Sequence, residues 1–158
     1  MRFFDHALET MPPKAIKELQ IEKLRSMFKK IYGYNRFYTD KFDKAGIDHK
    51  AIQNVNDMSQ IPLTNKEDLI KAQQDKPPFG SNATFPESAY SRFHQTSGTT
   101  GKPLHVLDTP ESWEWWGRCW GFVLTGAGLT ENERLFVPFS FGPFIGFWAA
   151  LELSLIHI

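Results

Sequence analysis

Eight consecutive residues, Thr96-Ser97-Gly98-Thr99-Thr100-Gly101-Lys102-Pro103, bring hydroxyls, glycines and a lysine into one stretch. Glycine lets backbone N–H groups approach an anion with no side chain in the way. Successive N–H groups in such a turn form a concave anion-binding nest. The hydroxyls add neutral donors, and Lys102 adds a compact positive charge. The ligand that calls on all of these together is a polyphosphate, above all that of ATP.

The run departs from the phosphate loop of NTPases, G-x-x-x-x-G-K-[ST], in two ways. Gly98 and Gly101 are separated by two residues rather than four, and Lys102 is followed by Pro103 where a magnesium-binding Ser/Thr would open a helix. Proline removes a backbone donor and biases the preceding residue towards extended geometry. Lys102 to Asp108 therefore reads as loop into strand. Tyr90 to His94 also reads as a strand, so the glycine loop is expected to join two strands in a hairpin-like connection.

The elements that must hold this loop follow from periodicity and punctuation. Pro12 and Pro13 suit a helix start, and Ile16, Leu19, Leu24, Met27, Phe28 and Ile31 recur at helical spacing up to a stop at Gly33. Tyr38 to Lys44 predicts a short second helix ended by Gly46. Thr64 with Glu67 forms a capping box for a helix over Asn65 to Ala72. Residues 76–82 read as a loop. After the strand pair, Thr109-Pro110-Glu111 supplies a cap, a first helical position and a favourable early acid. That helix is expected to reach Thr125 and to stop at Gly126 and Gly128. Its face of Trp113, Trp116, Trp120 and Val123/Leu124 is read as core rather than as a ligand platform. Arg134 to Phe139 reads as a buried-type strand, Gly142 to Gly146 as a loop, and Phe147 to Leu153 as the start of another helix. Helices first, then strand, loop, strand, helix, strand and helix give an α/β class.

Composition removes several classes of function. Hydrophobic residues make up 41% and charged residues 23% of the 158, a globular balance. Lys+Arg and Asp+Glu are equal at 18, so no net field holds nucleic acid, and none is expected as a partner. A single cysteine, Cys119, allows neither an internal disulfide nor a multi-cysteine metal site, and it is read as a buried helix thiol. The most apolar stretch, Phe141 to Leu153, is too short to span a bilayer. A soluble, cytoplasmic protein without a membrane partner is the expectation. His94 is read as positioning the loop or filling a strand, and His105 as structural. His6 and His49 carry no signal. No catalytic residue and no metal ligand is assigned.

The loop and its flanks together resemble the phosphate-binding signature of adenylate-forming enzymes, whose S-S-G-T-T-G-K-P branch matches almost residue for residue. Arg92-Phe93-His94-Gln95 resembles the R-x-H-x that precedes the loop in phenylacetate–CoA ligases. Leu24 to Gly46 resembles that family's opening, and Ile61 to Leu69 its "LPFTTKEDL" element. Phe139-Ser140-Phe141-Gly142-Pro143-Phe144 resembles an aromatic-glycine stretch near the acid pocket. The resemblance runs from about Lys14 to Leu153 and covers roughly the first third of a complete member.

It implies that residues 1–153 are a partial N-terminal AMP-binding (adenylation) domain. Thr96, Ser97, Gly98, Thr99, Thr100, Gly101 and Lys102 would wrap the β- and γ-phosphates of ATP, and Phe139, Phe141 and Phe144 would line the acid pocket. The implied activity is ATP-dependent activation of an aryl acid to an acyl-adenylate, then transfer to coenzyme A, with Mg2+. The implied partners are a small carboxylic acid, ATP and coenzyme A. The magnesium-binding acid, ribose-binding aspartate, hinge and C-terminal lysine of the family would lie beyond residue 153, so this chain alone is expected to be inactive. Residues 154–158 do not resemble the family's continuation and are read as a suspect, non-native tail. The alternatives are a non-catalytic binding module, or an adenylate-former of the capsule-biosynthesis or coenzyme-modifying type.

Overall fold

The computed structural model describes residues 2–151 apart from 49, 99, 100, 131, 135, 137, 139–141, 147 and 150. In chain order the elements are α1 (His6–Glu9), α2 (Pro13–Ile31), α3 (Arg36–Lys44), α4 (Lys66–Asp75), β1 (Arg92–Gln95), β2 (His105–Asp108) and α5 (Pro110–Gly126). Short 3-10 helices lie at Val55–Gln60 and Glu87–Ala89. The chain divides into two compact units, Met11–Pro86, and Met1–Thr10 with Glu87–Ile158.

The helical unit, Met11–Pro86, is built on α2. Pro13 sits at its first position, where a missing N–H does no harm. Phe28 is buried from its inner face, and its ring stacks on Phe42 of α3 at 4.7 Å. Ile47 and Ile52 complete the core, flanked by Leu24, Ile31, Tyr38 and Ile61. Arg25 reaches across to the carbonyl oxygens of Ile52 and Gln53, both at 3.1 Å.

Two helix starts differ from the sequence expectation. α3 begins at Arg36, ahead of Tyr38, because Asn35 caps it: Oδ1 accepts from the Tyr38 N–H at 3.1 Å. Asn35 is fully buried, and its Nδ2 donates to the Asn82 carbonyl and to Thr84 Oγ1, each at 2.8 Å. One side chain thus starts a helix and ties down residues 82–84. α4 is shifted by one residue. The capping box is Asn65 with Asp68, not Thr64 with Glu67, and the helix runs to Asp75 rather than Ala72. The same Asp68 carboxylate accepts from Lys41 Nζ at 2.6 Å, and that ammonium followed by the Asn65 N–H holds its pKa below the usual range.

In the second unit β1 and β2 pair antiparallel, with Arg92 opposite Asp108 and Gln95 opposite His105. α5 starts as expected, the Thr109 hydroxyl accepting from the Ser112 N–H at 3.2 Å. Its buried face overlaps the expected tryptophan face only in part: Trp120 and Leu124 are half-buried and Val123 is exposed. Trp113, Gly117 and Gly121 are buried, whereas Trp116 is 43% exposed. The reason is a close approach: a Cβ on Gly121 would lie 2.4 Å from the Phe4 ring. Phe4 also packs edge-on against Phe122 at 5.0 Å, and Asp5 pairs with Arg118 at 3.1 Å. Cys119 is half-buried rather than buried. Of the stretch expected as a buried strand, Arg134 to Phe139, residues 135, 137 and 139 lie outside the described ones; Arg134, Phe136 and Pro138 have no regular structure, and Phe136 is 85% exposed. An apolar run of that kind becomes a strand only between neighbours on both sides. Among the described residues the sheet consists of β1 and β2. The late helix begins at Ile145, two residues ahead of Phe147.

Candidate phosphate-binding loop

The connection from β1 to β2 is closed at its base by one residue. The Thr96 N–H donates to the Leu104 carbonyl at 3.0 Å, and the Leu104 N–H donates to Thr96 Oγ1 at 2.9 Å. Thr96 is therefore the clasp of the loop as well as a candidate contact. Inside it the Gly101 N–H donates to the Gly98 carbonyl at 3.0 Å, making a tight turn. Gly98 sits at φ +65°, and a Cβ there would lie 2.9 Å from the Gly101 oxygen and 3.1 Å from Pro103 Cγ. This position admits glycine alone without rearrangement.

The turn leaves the amides of Ser97, Gly98 and Lys102 without hydrogen bonds among the described residues. Ser97, Gly101 and Lys102 are exposed, so donors and a cation stand at the open side of the hairpin. Thr99 and Thr100 lie outside the described residues. So do Phe139 and Phe141 of the expected acid pocket; Phe144, the third, is 37% exposed. The segment that carries it reaches the loop's base, because the Gln95 N–H donates to the Pro143 carbonyl at 2.8 Å. Among the described residues no group of three or more His, Cys, Asp or Glu could hold a metal ion.

His94 fills a strand position and is 3% exposed. Its ring stacks on Trp113 at 5.0 Å, and its Nε2 lies 4.0 Å from Asp108 Oδ2. Asp108 was not visible as a partner in the sequence, since the pairing depends on the register of β1 against β2. Burial pushes the His94 pKa below that of a free imidazole; Asp108 pulls it up and Arg92 pushes it further down. A depressed histidine stabilises the fold above its unfolded pKa of about 6.5, and this contribution is lost as pH falls towards the folded value. Thermal stability is expected to decline below about pH 6.5, and His94→Gln to flatten that decline. Equal pH slopes of melting temperature for both proteins would contradict this assignment.

No protein-family model matches the sequence. Over 139 residues, 88% of its length, the chain is 34% identical to a phenylacetate-coenzyme A ligase of Thermus thermophilus, of which it covers 30%. It is 31% identical over the same share of its length to the phenylacetate-coenzyme A ligase of Escherichia coli, covering 31% of that protein. It thus spans less than a third of the length of these curated relatives. A 2-hydroxyisobutyryl-CoA ligase in an open conformation with 2-HIB-AMP and CoA superposes with a TM-score of 0.84 at 23% identity, over 94% of this chain and 34% of that one. The same ligase in the thioesterification state gives a TM-score of 0.83 at 26% identity, over 90% of this chain and 30% of that one. No helix among the described residues is long and apolar enough to cross a membrane. In sequence and in fold, the chain resembles the N-terminal part of an adenylate-forming enzyme of the phenylacetate–CoA ligase type.

Proposed function

We propose that residues 1–153 form part of the N-terminal adenylation domain of a carboxylate–CoA ligase that activates an aryl acid of the phenylacetate kind. The observation that carries this reading is the clasped glycine turn, with Gly98 at a position only glycine fits and Lys102 exposed beside unbonded amides. Thr96 to Lys102 would hold the β- and γ-phosphates of ATP. The free amides of Ser97, Gly98 and Lys102 would donate to phosphate oxygens, and Lys102 would offset charge developing on departing pyrophosphate.

In the first half-reaction a carboxylate oxygen bonds to the α-phosphorus and the bond to pyrophosphate breaks, leaving an acyl-adenylate. In the second a thiol, that of coenzyme A, displaces AMP. The loop contributes positioning and charge to the first step. The Phe139, Phe141 and Phe144 segment would supply apolar wall to the acid pocket, with Pro143 already at the loop's base. The substrates are soluble metabolites, and a cytoplasmic enzyme is the matching location.

Titration of the full chain with ATP tests the loop assignment. Lys102→Ala is expected to weaken ATP and pyrophosphate about tenfold each, the usual loss for one charge-assisted contact. Equal affinities with and without the lysine would remove Lys102 from the site.

A further inference from the structure

The face of the hairpin beneath the loop holds buried polar groups that no described residue satisfies. Side chains alternate along a strand, so Arg92 and His94 share one face with Val106 and Asp108, under Trp113 of α5. His94 and Asp108 are 3% and 7% exposed. Both His94 ring nitrogens, Asp108 Oδ2 and Trp113 Nε1 are buried without a hydrogen-bond partner among the described residues. The 4.0 Å between Nε2 and Oδ2 is too long for a hydrogen bond. Unpaired buried polar atoms are costly, and several at one place call for an explanation.

A proton on the ring would turn one contact of the cluster, Nε2 to Oδ2, into an ion pair. An imidazolium can donate from Nε2 to Oδ2 once the two approach by about 1 Å, which brings them to ordinary hydrogen-bond length. Burial and the nearby Arg92 guanidinium oppose that charge. A polyphosphate in the loop changes the balance by adding negative charge at the end of the same two strands. His94 reaches the clasp residue Thr96 through Gln95 alone, so closure on Asp108 acts directly on the loop's base.

We propose that His94 is a positioning residue of the loop, taking a proton from solvent and closing onto Asp108 when a polyphosphate occupies residues 96–102. This rests on the phosphate-binding reading above. The charged groups facing His94 are Asp108 across the hairpin and Arg92 on its own strand. From α5 it meets neutral Trp113, while Glu111 and Glu114 of that helix are exposed. His105 lies on the opposite face, edge-on to Phe93. Because coupling is reciprocal, ATP must raise the proton affinity of His94 by the factor by which protonation tightens ATP.

The test is an NMR titration of the imidazole Hε1 resonances of the full chain, with and without saturating ATP. His94 is identified by loss of its signal in His94→Gln. Should that variant not fold, single replacement of His6, His49, His105 and His157 identifies it by exclusion. ATP is expected to raise the His94 proton affinity about tenfold, a typical coupling, and to leave His105 unmoved. Asp108→Asn is expected to abolish the shift. The γ-phosphate of ATP titrates equally for every variant and drops out of the comparison. ATP that saturates while His94 titrates unchanged overturns the proposal and leaves the loop reading intact. Absence of saturable ATP binding at every pH overturns both.

Discussion

Gly98→Val is expected to weaken ATP binding by the full chain about a hundredfold while leaving the helical unit unchanged. A β-branched residue at φ +65° carries about 1–2 kcal/mol of backbone strain. Its Cβ would also lie 2.9 Å from the Gly101 carbonyl oxygen, a backbone atom that cannot rotate away. Relief requires the turn to open, which breaks the Gly101-to-Gly98 hydrogen bond and splays the amides of Ser97, Gly98 and Lys102. Strain and lost donors together reach the roughly 2.8 kcal/mol that a hundredfold change represents. The clasp at Thr96 lies outside the distorted turn, so the hairpin should persist. Titration of ATP beside the far-UV spectrum separates the two effects. Unchanged ATP affinity in the folded variant would mean that the turn is not the phosphate site.

Phe28→Ala has the largest expected effect on stability, a loss of about 3–5 kcal/mol from the Met11–Pro86 unit. The ring is 1% exposed and stacks on Phe42 at 4.7 Å, between Ile47 and Ile52. Truncation removes the transfer energy of the ring and leaves a cavity that three helical segments cannot close. Domains of this size hold only about 5–15 kcal/mol in total, so the variant sits near its unfolding threshold. Phe28→Leu, which retains most of the volume, should lose far less. Urea midpoints of the two variants against wild type decide it. A loss under about 1 kcal/mol would mean that the core of this unit lies elsewhere.

The elements that could be read from sequence are those whose signals are local. Pro13 opens α2 and Thr109-Pro110 opens α5, each within a few residues of its own start. Pro103 announced the passage from loop to strand. α4 shows where locality ends. Thr64-Asn65-Lys66-Glu67-Asp68 contains two overlapping capping boxes, and propensity ranks them nearly equal. Lys41 separates them, since it binds Asp68 from 27 residues away. The tryptophan face of α5 is legible at Trp113 but not at Trp116, for a different reason. Gly117 and Gly121 score as nothing in a hydrophobic pattern, yet both are buried, and Phe4 packs directly on Gly121. At the loop, the register of glycines and lysine was legible. The His94–Asp108 juxtaposition was not, because it exists only once β1 and β2 are aligned.

The division of the chain sets an order of assembly during synthesis. Met11–Pro86 is one uninterrupted stretch, so it can close as soon as it leaves the ribosome. The other unit is discontinuous. Phe4 and Asp5 precede that stretch, but their partners Arg118, Gly121 and Phe122 follow it. At about 5–20 residues per second, the interval between residues 86 and 126 lasts roughly 2–8 s. For that time the N-terminal decapeptide has no α5 to pack on, and the hairpin that bears the glycine turn has no tryptophan roof. The glycine turn is thus among the later parts of this segment to be supported.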